Sequence, residues 1–199
     1  MKRLERQDYL NWLIQHKDKQ IIKVVTGVRR CGKSTIFEIY RDYLLSQGIL
    51  PEQIIALNFE NLDYEELTDY RSLYQYVKER LCPDKMNYIF LDEIQHVDAY
   101  EKAVDSLFLR ENCDVYITSS NAWFMSGELA TLLTGRYAEL SMMPLSFAEF
   151  CDGLDEERKS LPLNEKFTQY METGSFPYVL KYQYAPAEAR EYMDGIYHT

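Results

Sequence analysis

The segment Gly27-Val28-Arg29-Arg30-Cys31-Gly32-Lys33-Ser34 has residue types and spacing that could do chemistry. It fits the pattern G-x-x-x-x-G-K-[ST]. Glycines at the two fixed positions let a backbone wrap closely around oxygens with no Cβ in the way. Successive N–H groups, followed by a helix N-terminus, turn positive dipole toward an anion. A lysine at position 33 reaches terminal phosphates as a mobile point charge. A hydroxyl at Ser34 is a natural ligand for Mg²⁺. The pattern therefore points to a bound nucleoside triphosphate and its magnesium. The expected binding residues are Gly27, Val28, Arg29, Arg30, Cys31, Gly32, Lys33, Ser34 and Thr35. One of Arg29 and Arg30 stabilises bound phosphate or contacts a neighbouring element, or both are solvated loop arginines. Cys31 reads as a small loop residue, although a helix N-terminus could lower a thiol pKa there.

A second constellation lies downstream. Tyr88-Ile89-Phe90-Leu91 is an apolar strand that ends in Asp92-Glu93. Alone this is a weak signal, because strands leaving a core often end in acids. Combined with the phosphate loop it becomes strong. Asp92 can hold Mg²⁺ directly or through water, and Glu93 can orient or deprotonate an attacking water. Val115–Thr118 leads into Ser119-Ser120-Asn121, where a polar group could sense the terminal phosphate. Asn121 is the first choice and Ser119 the second; the alternative is a helix cap. Arg136, after Thr134-Gly135, could stabilise charge on a transferring phosphoryl group in its own or a neighbouring subunit. It could equally form a structural salt bridge.

These residues need elements to position them. Apolar positions in Leu4–Ile14 fall at helical spacing. Ile21–Thr26 is a β-branched run that suits a strand buried on both faces. Ile36, Tyr40, Tyr43 and Leu44 share one helical face after the loop, with Gly48 and Pro51 as a stop. Ile54–Phe59, Tyr88–Leu91, Val115–Thr118 and Tyr137–Met142 are further expected strands. Leu67–Leu81 and Ser126–Leu133 are expected helices. Asp98 with Glu101 reads as a capping pair for a helix through Val104, Leu107 and Phe108. Strands alternating with helices imply an α/β fold with a parallel sheet covered on both sides. Beyond Phe147 the pattern turns helical. The expected organisation is a core over residues 1–150 and a helical extension over 151–199, the start of a lid or linker.

Composition narrows the function. The formal charge of −10 disfavours a generally basic nucleic-acid face. The 4 cysteines are scattered without a CxxC pair and read as reduced thiols, not as a zinc site. The 17 tyrosines suit core packing first and a protein-binding surface second. No apolar run is long enough to span a bilayer, and residues 1–20 are rich in charge, so a cytoplasmic protein is expected. His16, His96 and His198 show no ligand spacing.

Five segments occur in order: Gly27–Ser34, Leu91-Asp-Glu-Ile-Gln95, Ile117-Thr-Ser-Ser-Asn-Ala122, Leu133-Thr-Gly-Arg136 and Met143-Pro-Leu-Ser-Phe-Ala-Glu-Phe150. Together they resemble the AAA+-like P-loop domain of a large group of prokaryotic ATPases. Members join this domain to a C-terminal domain of poorly defined, sometimes nuclease-like, character. Gly174-Ser-Phe-Pro177 resembles that family's next landmark, with Ser175 where a second glycine is usual. The resemblance implies a three-layer α/β/α fold of the ASCE type, with another strand between the strand of Asp92 and that of the phosphate loop. It implies ATP as nucleotide, Asp92 for magnesium, Glu93 for water activation and Asn121 as phosphate sensor. Relatives are about twice this length, so an N-terminal domain is expected, with a missing C-terminal domain or a protein as partner. A homo-oligomer is a further alternative.

The expected function is Mg-dependent ATP hydrolysis that drives a conformational change in a linked domain or partner. The alternatives are an ATP-bound switch or scaffold with negligible turnover and a nucleic-acid-dependent ATPase. A small-molecule kinase is disfavoured by Glu93 and by the lack of an Arg-rich lid. A GTPase is disfavoured by the lack of an Asn-Lys-x-Asp element.

Overall fold

Alternation along the strands assigns each residue a face of the sheet. β1 (Ile22–Thr26), β2 (Ile54–Asn58), β3 (Asn87–Asp92), β4 (Cys113–Ser119) and β5 (Tyr137–Ser141) form one sheet in the order β2-β3-β4-β1-β5, and every pair is parallel. β4 thus separates β3 from β1, as the family resemblance implies. β3 and β4 are buried along their whole length, and this suits central strands of a covered parallel sheet. The computed structural model describes residues 3–120, 133–182 and 185–197. The expected helix over 126–133 lies mostly outside them.

One face of the sheet carries Ile22, Val24, Ile55, Leu57, Ile89, Leu91, Val115 and Ile117. It packs against Leu73 and Val77 of α3 (Tyr70–Arg80) and Ala103, Val104 and Leu107 of α4 (Tyr100–Phe108). The other face carries Tyr88, Phe90, Tyr116 and Lys23. There the rings of Phe90 and Tyr116 stack at 4.8 Å, and Phe37 and Tyr40 of α2 (Lys33–Ser46) close over them. α1 (Gln7–Gln15) packs beside α2. The result is a three-layer α/β/α domain. Tyr40, Tyr88 and Tyr116 are all buried, so these three tyrosines serve the core.

That second face also buries a charge. Lys23 pairs with Asp114, and Asp114 accepts from Tyr116 Oη at 2.7 Å and from the Asp18 backbone N–H at 2.9 Å. A buried ion keeps its place only when its hydrogen-bonding capacity is met. Lys23 completes its set by donating to the Lys19 carbonyl at 2.7 Å.

Two local expectations change. α4 is not capped by Asp98 and Glu101: its N-cap is Ala99, in the left-handed region, with no side-chain cap bond. Asp98 instead pairs its backbone with the segment before α3, accepting from Tyr70 N at 3.1 Å and donating to Thr68 O at 2.7 Å. α3 starts at Tyr70, because the Asp69 side chain caps it by accepting from Arg71 and Ser72 N–H groups.

Contacts divide the chain into two compact units. The larger is Gln7–Gly27 with Lys33–Ser141. The smaller takes in the residues before Gln7, Val28–Gly32 and the chain from Met142 onward. Its helices are α5 (Phe147–Gly153), α6 (Glu156–Lys159), α7 (Leu163–Thr173), α8 (Pro177–Tyr182) and α9 (Pro186–Tyr197). Leu145, Phe150, Leu154 and Leu180 form its core. A capping box between Ser146 and Glu149 starts α5. Gly174 has a φ of +80°, a conformation that strains any side chain, and a Cβ there would also have to displace the Met193 thioether 2.5 Å away, so glycine suits this landmark position. Among the described residues no helix is long and apolar enough to cross a membrane.

Candidate active site

β1 is four-fifths buried and delivers the chain into the glycine loop at the C-terminal end of the sheet. Gly32 has a φ of +109°, a conformation that side chains rarely adopt, and this explains glycine directly before Lys33. Arg30 also has positive φ, at 66°. α2 begins at Lys33, so the first N–H groups of the helix follow the loop at once. Lys33 is only 3% exposed; its ammonium donates to Gly27 O at 3.0 Å and lies 3.4 Å from Glu93 Oε1.

Val28–Gly32 cluster with the smaller unit. Within it the buried Arg6 guanidinium donates to Cys31 O at 3.0 Å and Pro144 O at 3.2 Å. The same guanidinium makes a forked pair with Glu149, at 2.8 and 3.1 Å. Arg30 lies over the Tyr192 ring, 5.5 Å from its centroid. Val28, Arg29, Arg30 and Thr35 are exposed, and Cys31 is buried.

Asp92 ends β3, and Glu93 follows it in the left-handed region at φ 53°. A non-glycine residue held there costs of order 1–3 kcal/mol, and such strain persists only where its surroundings fix it. The fixing groups are visible. Thr118 Oγ1 accepts from Glu93 N at 2.8 Å and donates to Asp92 Oδ1. Asn58 Nδ2 donates to Asp92 Oδ2 at 3.0 Å. Glu93 Oε2 accepts from Ser120 Oγ at 2.7 Å, Ser120 N at 3.1 Å and Gln95 Nε2 at 2.7 Å.

The two neighbouring carboxyls are driven in opposite directions. Burial pushes Asp92 up, against opposing hydrogen bonds from Ser34 and Thr118. Burial also acts upward on Glu93, but hydrogen bonds from Gln95 and Ser120 and the Lys33 charge outweigh it, so its carboxyl lies below the usual range. Paired acids with divergent environments are suited to different tasks. Ser34 and Asp92 offer hard oxygens, the donor type magnesium takes alongside phosphate oxygens. Among the described residues no group of three or more His, Cys, Asp or Glu could hold a metal.

The family model described as "AAA domain" matches residues 19–151. The chain belongs to the AAA domain family. It is 43% identical to an uncharacterised protein of Haemophilus influenzae, over 89% of this chain and 44% of that one. It is 29% identical to an uncharacterised protein of Methanocaldococcus jannaschii, over 89% of this chain and 41% of that one. The AAA domain chain thus spans less than half the length of these curated relatives. Among solved structures it is similar in fold to the Walker-type ATPase PABY2304 of Pyrococcus abyssi, at TM-score 0.61 and 15% identity over 89% and 65% of the two chains. The Orc1 protein of Aeropyrum pernix, solved in complex with DNA, gives TM-score 0.58 at 15% identity over 94% and 65%. AMPPCP-bound DnaA of Aquifex aeolicus gives 0.57 at 10% identity over 92% and 60%. At these identities the structures speak for the fold alone.

In this AAA domain Lys33, Ser34, Asp92 and Glu93 come together. Arg136 does not join them. It precedes β5, whose first residue Tyr137 pairs with Ile22 at the start of β1, so it lies at the opposite end of the strand from the loop. Its side chain pairs with Asp105 and lies over the Phe108 ring, so the structural salt bridge is the reading observed within the chain. Asn121 lies outside the described residues. Ser119, the second choice, is buried at the end of β4, opposite Thr26.

Four groups in the cluster carried no assigned role in the sequence: Asn58, Thr118, Ser120 and Gln95. A signal existed for the first two. Asn58 pairs with Asp92 in register, and Leu91 pairs with Ile117, so Thr118 stands beside Asp92. Polar residues ending adjacent parallel strands must meet at one edge of the sheet.

Proposed function

We propose that this AAA domain binds ATP with magnesium and hydrolyses it, driving a conformational change in a linked domain or partner in the cytoplasm. The observation that carries this reading is the convergence of Lys33, Ser34, Asp92 and Glu93, with Lys33 also donating to Gly27 O. The loop residues Gly27–Ser34 and Thr35 wrap the phosphates with backbone N–H groups, and Lys33 turns to the β- and γ-phosphates. Ser34 and Asp92 would hold Mg²⁺. Bound with the triphosphate, magnesium would neutralise charge developing on the phosphate oxygens. Glu93 takes a proton from the attacking water, and its low-lying carboxyl keeps it ionised for that purpose. Family membership and the ATPase fold support the general activity. The length of the curated relatives supports a linked domain as the element moved.

The test is Glu93→Gln, assayed for nucleotide affinity and for phosphate release with and without magnesium. Affinity should be retained and turnover should fall about 100-fold or more. Wild-type turnover in that variant would remove Glu93 as the base.

A further inference from the structure

We infer that Gln95 is a further catalytic residue of the proposed hydrolysis, its side-chain carbonyl accepting a hydrogen bond from the attacking water. The inference rests on the ATPase reading above. Gln95 lies at the centre of the short 3-10 turn Ile94–His96, directly after the strained Glu93. The turn is fixed from both sides: Ile94 is fully buried in the core, and His96 N donates to Glu93 O at 3.2 Å. The side chain is then set by chemistry. A carboxylate only accepts, so the amide NH₂ must face Glu93, and Nε2 donates to Glu93 Oε2 at 2.7 Å. The same NH₂ lies 3.4 Å from Ser120 Oγ.

That orientation fixes the other end of the amide. Gln95 Oε1 is a buried acceptor without a hydrogen-bond partner among the described residues. A buried carbonyl that gives up water without a replacement is unfavourable, and such groups recur where a ligand or water completes the set. The neighbouring acceptor is Glu93 Oε1. Its sister oxygen is already saturated by three hydrogen bonds, while among the described residues Oε1 faces only the Lys33 ammonium at 3.4 Å. Once Lys33 turns to a triphosphate, Glu93 Oε1 is open.

Two acceptors of this kind suit one water molecule. Glu93 Oε1 takes one O–H and Gln95 Oε1 takes the other, so the water's lone pair is aimed by both. In the step itself the water oxygen forms a bond to the γ-phosphorus. The bond from that phosphorus to the β–γ bridging oxygen breaks, and ADP leaves with the electron pair. One water proton passes to Glu93 and the other stays on the new phosphate. An amide that orients the attacking water is an established device in phosphoryl transfer.

The test compares Gln95→Met, Ser120→Ala and Glu93→Gln with the wild type, by steady-state ATP turnover and by nucleotide titration. Methionine keeps the length of the side chain and removes its acceptor. Gln95→Met should lower kcat about tenfold to a hundredfold, with KM and nucleotide affinity within about twofold of wild type. Ser120→Ala removes an equally short hydrogen bond to Glu93 but keeps the Gln95 acceptor, and should cost several-fold less. Gln95→Ala carries the same expectation as Gln95→Met should methionine disturb folding. Turnover in Gln95→Met that equals or exceeds wild type overturns the inference. Equal losses in Gln95→Met and Ser120→Ala also overturn it, by reducing Gln95 to a support for Glu93. Glu93→Gln separates the two levels. If it is inactive while Gln95→Met is normal, only this inference fails; if it hydrolyses normally, or the wild type shows no magnesium-dependent turnover, the parent reading fails with it.

Discussion

The Lys33 ammonium stands 3.4 Å from Glu93 Oε1 while donating to Gly27 O at 3.0 Å, so one buried cation serves both the loop and the acid. A triphosphate must draw Lys33 away from Glu93 to use it. Lys33→Ala should therefore weaken Mg-ATP binding about 10- to 100-fold, the worth of a charge-assisted hydrogen bond. Calorimetric titration measures it, and unaltered affinity would show that the loop binds without its lysine.

Thr118 offers a second test. Its hydroxyl joins Asp92 Oδ1 to the backbone N–H of Glu93, and valine would keep its shape while removing both bonds. Thr118→Val should destabilise the domain by about 2 kcal/mol, since buried partners are left unmet. Turnover should fall further than stability alone explains, because Glu93 loses what holds its left-handed backbone. Thr118→Ser should restore most of both. Denaturant unfolding and phosphate release measure the pair, and a fully active valine variant would contradict the role.

What the sequence revealed follows from what sequence encodes. The phosphate loop and the Asp92-Glu93 pair were legible because each is a contiguous pattern on an element with a clear period. The strand order, and with it Asn58 and Thr118, depended on which strand lies beside which, a relation between distant segments. Ser120 was hidden for another reason: its backbone N–H and hydroxyl both turn to Glu93, and hydrogen bonding of this kind has no periodic signature. Asp98 misled because a short acid–x–x–acid spacing also arises where a backbone bridge, here to Asp69, does the work of a cap.

Glu149 gives the smaller unit a pH dependence. Burial acts upward on its carboxyl, but the Arg6 guanidinium and the Ser146 N–H outweigh it, so the folded value lies below the ordinary 4.5. A depressed acid contributes stability that is present above its unfolded value and lost as pH falls through its folded value. Glu149→Gln should therefore be less stable than wild type at neutral pH. The gap should close on acidification below about pH 4. Denaturant melts at both pH values measure this, and a gap that widens in acid would refute the sign.

Arg6→Ala probes the same unit from the other side. The guanidinium donates to Cys31 O, Pro144 O and Glu149, so its removal strips two carbonyls and a carboxylate of a partner at once. A loss of about 2–3 kcal/mol is expected, as for hydrogen bonds to a charged group. Arg6→Lys should recover little, because an ammonium cannot reproduce the fork on Glu149. Recovery by lysine would show that charge, not geometry, is what Cys31 O and Glu149 require.

Arg136 supplies the last prediction, and here position decides. Its neighbour Tyr137 pairs with Ile22, four residues before Thr26 at the end of β1, and at about 3.3 Å per residue this puts it roughly 13 Å along the strand from Thr26, which the phosphate loop follows. The side chain is already engaged by Asp105, in a pair with 43% and 27% of the two side chains exposed. Pairs this exposed contribute about 0–1 kcal/mol. Arg136→Ala should thus lower stability by less than about 1 kcal/mol and leave turnover in dilute protein within about threefold of wild type. The assay should span a protein-concentration series. A wild-type specific activity that climbs with concentration, with the climb absent in Arg136→Ala, would reassign this arginine to the site of a neighbouring subunit, where the 13 Å within its own chain no longer counts against it.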